Sequence, residues 1–381
     1  MLLTNDKLRV VYLRSTSIFN DSRATKETNT LIKYNFKLLV LGWDRDGFGA
    51  SKLNSLSEKN NFEIAYFKIR SNYGDGYKSL GKLILFQLWL LIKMLKNLNS
   101  FDLIHCCDFE TALPAFVISK LFKKRLIYDI YDYYIHSRPV PKFLKRFIEN
   151  LEIGIINNAD TVIICNENRY EQMSKTKPKN IIVIYNTPEI NFSSDSKLFN
   201  KQDNIFRIVY VGLLQKGRLL SEIADIVSAN SEIELHVGGY GKLSEYFKEL
   251  SKKHNNIVFY GEMDYNSALL LEAKADVLFA TYDPKIINHK YSAPNKFYEA
   301  MALKKPIIVS RGTGIDKVVE EENIGIVIDY DAKSFFAAVQ YLKNNSGKCI
   351  EMGKNGRILY DKKYSWEIME KKLLSIYKTN T

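Results

Sequence analysis

Short apolar runs alternate with helix-period patterns along the whole chain. In the first half, Arg9 to Leu13, Lys37 to Leu41, Glu63 to Ile69, Leu103 to Cys107, Arg125 to Asp129, Thr161 to Cys165 and Ile181 to Ile184 predict seven strands. In the second half, Arg207 to Val211, Ile233 to Val237, Ile257 to Tyr260, Val277 to Ala280, Pro306 to Val309 and Ile324 to Ile328 predict six more. The runs are continuously apolar rather than alternating, as strands buried on both faces of parallel sheets are, and the helical patterns between them supply the crossovers. Asn186 to Asn204 is rich in Asn, Ser, Asp and Lys and reads as a linker. The expected fold class is therefore α/β, with two domains at 1–190 and 205–362, which suits 381 residues at about 100–200 residues per domain. In a final segment, 363–381, Trp366, Ile368, Met369, Leu373, Leu374 and Tyr377 fall at helical spacing. That helix either caps the second core or crosses back to the first domain.

Composition adds one feature, a formal net charge of +12. A basic surface can meet nucleic acid, anionic lipid or a phosphorylated substrate. Lysine dominates, and there is no recognition-helix signature, aromatic RNA-binding motif or Arg-rich run, so nucleic acid is not expected. Met1 to Lys7 has no apolar core of a signal peptide. The longest apolar run, Leu83 to Ile92, is broken by Gln87 and falls short of the ~20 residues a spanning helix needs. A cytoplasmic protein is expected, with Cys106, Cys107, Cys165 and Cys349 as buried thiols rather than disulfides or metal ligands.

The chemistry gathers in the second half. Ser292-Ala293-Pro294-Asn295-Lys296-Phe297-Tyr298-Glu299-Ala300-Met301-Ala302 reads as a loop and a helix start, and Lys305-Pro306-Ile307-Ile308-Val309-Ser310 as the strand after it. Pro294 suits the first helical turn, where a missing N–H costs nothing. Lys296 and Glu299 share a helix face near the positive end of the dipole. Free N–H groups and a lysine favour an anion, and a carboxylate beside them can take sugar hydroxyls. The plainer alternative is an ordinary helix with a solvated Lys and Glu. Val211-Gly212-Leu213-Leu214-Gln215-Lys216-Gly217-Arg218 is a strand-to-helix turn with two glycines and two cations, which suits a diphosphate. Arg218 is preferred to Lys216 because its planar fork binds phosphate bidentately. His236-Val237-Gly238-Gly239-Tyr240-Gly241 is a second Gly-rich strand exit, weak by itself because glycines also serve tight turns.

Together these segments resemble the family 4 retaining glycosyltransferases with the two-domain B-type (GT-B) fold, in which a Pro-x-Lys-x-x-Glu-Ala-x-Ala element precedes a Lys-Pro-Val/Ile-Ile strand. The resemblance runs from Arg9 to the Trp366 region. It implies two Rossmann-like domains with parallel sheets and a last helix that crosses back to the first domain. It implies that the second domain binds a nucleotide-diphosphate sugar as co-substrate, with Glu299 on the ribose, and Arg218 and Lys296 neutralising the leaving diphosphate. It places Gly212, Lys216 and Gly239 beside the nucleotide, Phe259-Tyr260-Gly261-Glu262-Met263 beside the base, and Tyr282 and Asp283 at the start of the donor-sugar loop. Many relatives carry two glutamates seven residues apart; Glu299 is the second, and Tyr291 stands where the first would fall. Asp283 and His289 are the candidate substitutes.

In the first half, Asn20-Asp21-Ser22-Arg23 with Lys26 and Glu27 resembles an Asp-x-Arg-x-x-Lys-Glu element near the acceptor, and equally reads as a helix capped by Asp21 or Ser22. By the same resemblance His105 and Asp108 end one strand and face the cleft, His105 as a catalytic candidate, while Asp129 and Asp132 end the next. Relatives usually carry a histidine where Tyr131 stands. The acceptor side is thus assigned to Arg23, Asp108, Asp129 and Asp132. Asp44-Arg45-Asp46 looks like a metal-holding carboxylate pair, but with Arg218 and Lys296 present no metal is expected.

Two stretches bear on membranes. Tyr77 to Leu98 mixes lysines with Leu83 to Leu91, and Pro141 to Leu151 sets Lys142, Lys145 and Arg146 beside Phe143, Leu144 and Phe147. A basic amphipathic helix can lie in a bilayer interface, whereas a buried core helix with lysines at its ends is the commoner explanation for the first stretch. The expected function is a metal-independent retaining hexosyltransferase. It would move a sugar from a nucleotide-diphosphate sugar, UDP-linked by preference, to a glycan or lipid-linked acceptor in surface polysaccharide biosynthesis, with peripheral docking at the inner face of the cell membrane as a further expectation. The alternatives are a GT-B sugar-nucleotide epimerase or hydrolase and a non-catalytic nucleotide-binding partner subunit.

Overall fold

A computed structural model describes residues 8–45, 47, 62–71, 80–138, 140–190 and 205–378. The leading Met1 to Lys7, Asp46, Tyr77 to Ser79 and most of the expected linker, 191–204, lie outside the described residues. The chain divides into two compact units, Met1–Tyr185 with Met369–Thr381, and Asn186–Ile368.

The first unit holds strands β1 (Arg9–Arg14), β2 (Lys37–Trp43), β3 (Phe62–Phe67), β4 (Leu103–Cys107), β5 (Arg125–Ile130), β6 (Thr161–Ile164) and β7 (Ile181–Val183). Its helices are α1 (Ser22–Lys33), α2 (Leu80–Lys96), α3 (Phe109–Phe122), α4 (Tyr134–Ser137), α5 (Lys142–Asn158) and α6 (Arg169–Gln172). The second unit holds β8 (Phe206–Val211), β9 (Ile233–Gly238), β10 (Ile257–Gly261), β11 (Val277–Ala280), β12 (Ile307–Ser310) and β13 (Gly325–Ile328). Around them lie α7 (Leu220–Ser228), α8 (Ser244–Lys253), α9 (Tyr265–Ala273), α10 (Ile287–Lys290), α11 (Asn295–Ala302), α12 (Ile315–Glu321), α13 (Ala332–Asn344) and α14 (Ser346–Leu359). The last helix, α15 (Trp366–Lys378), starts in the second unit and from Met369 onward packs with the first.

Both sheets are parallel throughout. Their orders are β3-β2-β1-β4-β5-β6-β7 and β10-β9-β8-β11-β12-β13. Each is the doubly wound arrangement, in which strand order reverses between the first strand and the fourth. β1, β4 and β5 are buried almost end to end, which is why their sequences run apolar without alternation. Each unit has its own core. Trp43, Phe86, Leu90, Met94, Ile104 and Tyr128 meet in the first, and Tyr210, Phe247, Phe279, Ile308 and Phe335 in the second.

The sequence expectations need three corrections here. Pro294 sits just before α11 as its N-cap, with φ −68° and ψ 147°, so the helix itself starts at Asn295. Cys349 is only half-buried, unlike the other three free cysteines. α2 is not a buried core helix: Phe86, Leu90 and Met94 face the core, while Ile84, Leu85, Leu88, Ile92 and Leu95 stand exposed.

Candidate active site

In a doubly wound sheet, ligands bind beyond the carboxyl ends of the strands where the order reverses. In the second unit that point lies between β8 and β11. β8 runs out into Gly212, and β11 into Thr281 and Tyr282. Gly212 adopts φ +147°, and a Cβ there would come 2.9 Å from the Lys296 ammonium. Gly239 follows β9 at φ +124°, and its Cβ would fall 1.9 Å from the Gly212 carbonyl oxygen. Side chains are thus excluded where these two turns meet, leaving the backbone open to a close ligand.

Two cations converge on this point. Lys296, in the first turn of α11, is 5% exposed; its Nζ donates to the Val211 carbonyl at 2.6 Å and lies 4.2 Å from the Tyr210 ring centroid. Arg218 donates from Nη1 to the Tyr210 hydroxyl at 2.7 Å and to the Tyr282 hydroxyl at 3.1 Å, and its guanidinium lies 4.7 Å from the Tyr282 ring centroid. The Arg218 Nε is buried without a hydrogen-bond partner. Among the described residues, the partners of both cations are hydroxyls, rings and a carbonyl, with no carboxylate ion-paired to either. Burial opposes the Lys296 charge, yet Tyr210, Tyr282 and the Glu299 carboxylate leave its pKa above the ordinary lysine value. Two neighbouring cations, Lys296 buried and Arg218 half-buried, with no ion-paired carboxylate among the described residues suit an incoming dianion.

Glu299 lies one turn along α11 from Lys296 and is 5% exposed. Tyr265 and Glu272 of α9 neighbour it. Burial and the neighbouring Glu299 push the Glu272 carboxyl well above its usual range, while Lys296 opposes the rise. Tyr282, Asp283 and His289 form one loop. The Asp283 N–H donates to the Gly217 carbonyl at 3.0 Å, His289 Nδ1 lies 3.1 Å from the Asp283 carbonyl, and the Tyr282 and His289 rings meet edge to face at 4.9 Å. The expected substitutes for a missing glutamate are therefore joined to each other. Tyr291 caps the C-terminus of α10, and Lys216 is exposed.

The first unit also carries charge at its switch point, between β1 and β4. Arg14 pairs with Asp108 at 2.5 Å and Asp21 at 2.8 Å, and its guanidinium lies 4.1 Å from the Tyr131 ring centroid. Asp21 caps α1, accepting from the Arg23 and Ala24 N–H groups. Asp108 holds φ 62° and ψ 164°, a conformation L residues rarely adopt. Burial raises its pKa to about 6 against the pull of Arg14. Asp132 is half-exposed and pairs with Arg169 at 2.9 Å.

Arg23, His105 and Asp129 depart from the expectation of cleft-facing acceptor and catalytic residues. All three are buried inside the first unit. His105 is the middle residue of β4 and hydrogen-bonds through Nδ1 to Tyr377 of α15. Asp129 takes two hydrogen bonds from Arg23, at 2.8 and 2.9 Å, while Arg23 also pairs with Glu27 at 3.1 Å. Burial lowers the His105 pKa, and burial with Asp129 nearby raises that of Glu27 to about 8. For His105 and Asp129 the reason is side-chain direction, since a residue inside a strand buried on both faces has no solvent to face, and Arg23 reaches in from α1 to pair with Asp129. Glu27, His105, Cys107 and Asp129 bring their ligand atoms within 4.8 Å of one another. The donor set is right for a metal, but the Arg23 guanidinium already supplies the positive charge there.

Sequence reasoning missed Tyr210, Tyr265, Glu272 and Arg14. Tyr210 and Arg14 are polar ends of otherwise apolar strands directly before a turn, and Glu272 is a lone carboxylate in the apolar run of α9; those positions were the available signal.

Residues 205–345 match the family described as "Glycosyl transferases group 1". Over 314 residues the chain is 25% identical to an uncharacterized glycosyltransferase of Methanocaldococcus jannaschii, covering 74% of this chain and 76% of that relative. It is 28% identical over 165 residues to a capsular polysaccharide biosynthesis glycosyltransferase of Staphylococcus aureus, covering 37% of this chain and 43% of the relative. Among solved structures, Anabaena HepE in complex with UDP and glucose is similar with a TM-score of 0.72 at 16% identity, over 97% of this chain and 99% of that one. At that identity the likeness is one of fold.

Proposed function

We propose that this chain, which matches the group 1 glycosyltransferases over 205–345 and has the two-domain B-type fold, is a family 4-like glycosyltransferase that transfers a hexose with retention from a nucleoside-diphosphate sugar to a glycan or lipid-linked glycan. The observation that carries this reading is the pair of cations, half-buried Arg218 and buried Lys296, meeting over Tyr210 with no carboxylate ion-paired to either among the described residues. A diphosphate fills that need. As the bond to the sugar breaks, the departing diphosphate gains negative charge, and cations already in place stabilise it without reorganising. The acceptor hydroxyl attacks on the face the diphosphate leaves, and the protein contributes chiefly positioning. Fixed positive charge also makes a metal unnecessary for this step. Glu299 is assigned to the ribose, with Tyr265 and Glu272 of α9 beside it. Arg14, Asp108 and Asp132 are the acceptor-side candidates, while His105, Arg23 and Asp129 act from within the core as positioning residues. UDP is favoured because HepE, a likeness in fold, binds UDP and UDP-glucose. A lipid-linked acceptor would bring the protein to the membrane surface.

Thermal stabilisation by UDP-, GDP- and ADP-sugars, followed by slow hydrolysis and transfer assays, tests this reading. Stabilisation by one nucleotide sugar with transfer to a glycan is expected. No response to any of them would remove the donor site. Tyr291, in place of a glutamate, favours a second reading in which the donor binds but is not transferred. Stabilisation without hydrolysis or transfer would select it.

A further inference from the structure

α2 is apolar on both sides. Its inner face enters the core through Phe86, Leu90 and Met94, while Leu80, Ile84, Leu88, Ile92 and Leu95 form a stripe on the other, each about half exposed. A surface helix normally carries polar residues there. The neighbouring helices extend the feature. α3 exposes Val117, Leu121 and Phe122, and α5 exposes Phe143 at 82% and Phe147 at 61%, one turn apart. α2 packs on α3 and α3 on α5, so the three faces belong to one side of the first unit. Large apolar side chains exposed together on neighbouring helices mark an interaction site.

Among the described residues of α2, α3 and α5 the exposed charges are positive. α2 carries Lys82, Lys93 and Lys96 and no acidic residue. Lys120 and Lys123 border the exposed end of α3, and Lys142, Lys145 and Arg146 fill the first turns of α5, which hold no acidic residue. The acidic residues of α3 and α5 are turned away: Glu110 and Glu152 are buried, and Glu149 pairs with Lys175. A second copy docking through the same face would set cations against cations, because a two-fold contact repeats one patch on both sides. An anionic bilayer offers the reverse, a negative surface over an apolar interior. α2, with 17 residues, lies within the interface rather than across it, and among the described residues no helix is long and apolar enough to cross a membrane.

We propose that the outer faces of α2 and α5 form an insertion surface for an anionic lipid bilayer, with the α2 stripe and Phe143 and Phe147 entering the headgroup–acyl boundary and the lysines contacting lipid phosphates. An anchor of this kind survives salt, which a purely electrostatic one does not. Electrostatic attraction fades as the Debye length falls from about 10 Å at 0.1 M to about 3 Å at 1 M, whereas the burial of apolar surface does not.

The test is flotation of the full chain with phosphatidylglycerol/phosphatidylcholine vesicles at about 0.1 M and about 1 M salt. Two variants are compared, Ile84→Ser/Leu88→Ser/Ile92→Ser and Lys142→Glu/Lys145→Glu/Arg146→Glu. The parent should float at low salt and retain a clear fraction at high salt. The apolar variant should lose that salt-resistant fraction by about tenfold or more, and the charge variant mainly the low-salt part. Both should keep the parent's melting temperature and its response to nucleotide sugars, since these side chains face solvent. A parent that stays unbound at low salt, or an apolar variant that floats like the parent at high salt, overturns the proposal. So does a parent dimer in sedimentation that the apolar variant abolishes, since the face would then be a self-association surface. Lipid binding by a protein that binds no nucleotide sugar would defeat the proposed transferase activity and leave this inference standing.

Discussion

Arg218 donates a hydrogen bond to the Tyr210 hydroxyl at 2.7 Å, and the face of the same ring lies beneath the Lys296 ammonium. One neutral side chain of β8 thereby orients both cations without consuming their charge. A carboxylate in its place would bind them more strongly and compete with a diphosphate. Arg218→Ala and Lys296→Ala are each expected to lower transfer steeply, because each leaves developing negative charge less stabilised, and a charged hydrogen bond is worth about 1.5–3 kcal/mol. Tyr210→Phe keeps the ring beneath Lys296 but frees Arg218, and should cost less than either. Steady-state kinetics with the best nucleotide sugar checks the order. A Tyr210→Phe loss as large as that of Arg218→Ala would mean the hydroxyl does more than orient.

Glu299→Ala should weaken nucleotide-sugar binding while leaving the fold intact. The lost hydrogen bonds to the ribose are worth about 1.5–3 kcal/mol, roughly tenfold to a hundredfold in affinity. Removing Glu299 also ends the burial of one carboxyl against another at Glu272, so the melting temperature of the free protein should hold or rise. Calorimetric titration and thermal melts check both halves. Equal donor affinity in variant and parent would take the ribose role from Glu299.

On the proposed reading transfer should persist in EDTA, because Arg218 and Lys296 would supply the positive charge that a divalent ion otherwise gives the diphosphate. The measurement is the initial rate before and after chelation, with Mg²⁺ or Mn²⁺ added back. Complete loss restored by either ion would show that the leaving group depends on a metal.

Stability should fall as pH rises from mildly acidic to alkaline, in part through Glu152. This residue of α5 is buried, and its Oε1 accepts from the Tyr128 hydroxyl at 3.0 Å and the Tyr134 N–H at 3.3 Å, while its Oε2 has no partner. Burial raises its pKa to about 8 from an ordinary 4.5, with Asp108 adding to the rise and Arg169 opposing it. Between those values the folded protein holds a proton that the unfolded chain has released. Raising pH through that window therefore favours unfolding, at up to about 1.4 kcal/mol per pH unit for one proton. Glu152→Gln should flatten this slope in urea melts between about pH 5 and about pH 8. Parallel slopes for parent and variant would move the effect to another group, with Glu27 the next candidate.

The arrangement of strands was legible because its cause is local. All thirteen strands fall within a residue or two of the expected apolar runs, since burial on both faces of a parallel sheet demands continuous apolar sequence. Gly212, Arg218, Gly239 and Lys296 could be singled out for the same kind of reason, because strand-to-helix turns and helix starts set glycines and cations at fixed places, and the structure gathers these four around the end of β8. What the sequence could not decide was which side chains face one another. His105 and Asp129 look like strand-end residues in one dimension, yet each points into a core closed by Tyr377 from the far end of the chain. Tyr210 carries no motif of its own and matters because β8 and β11 are neighbours in the sheet, which places Arg218, Tyr282 and Lys296 around it. α2 reads as a core helix by composition, and only the packing shows that one of its two apolar faces was left without cover. Periodicity reports how much of an element is apolar and where the chain must turn, because those constraints act between near neighbours. Side-chain partnership and the choice between buried and exposed apolar surface depend on residues far apart in sequence, and are settled only when the sheets and helices pack.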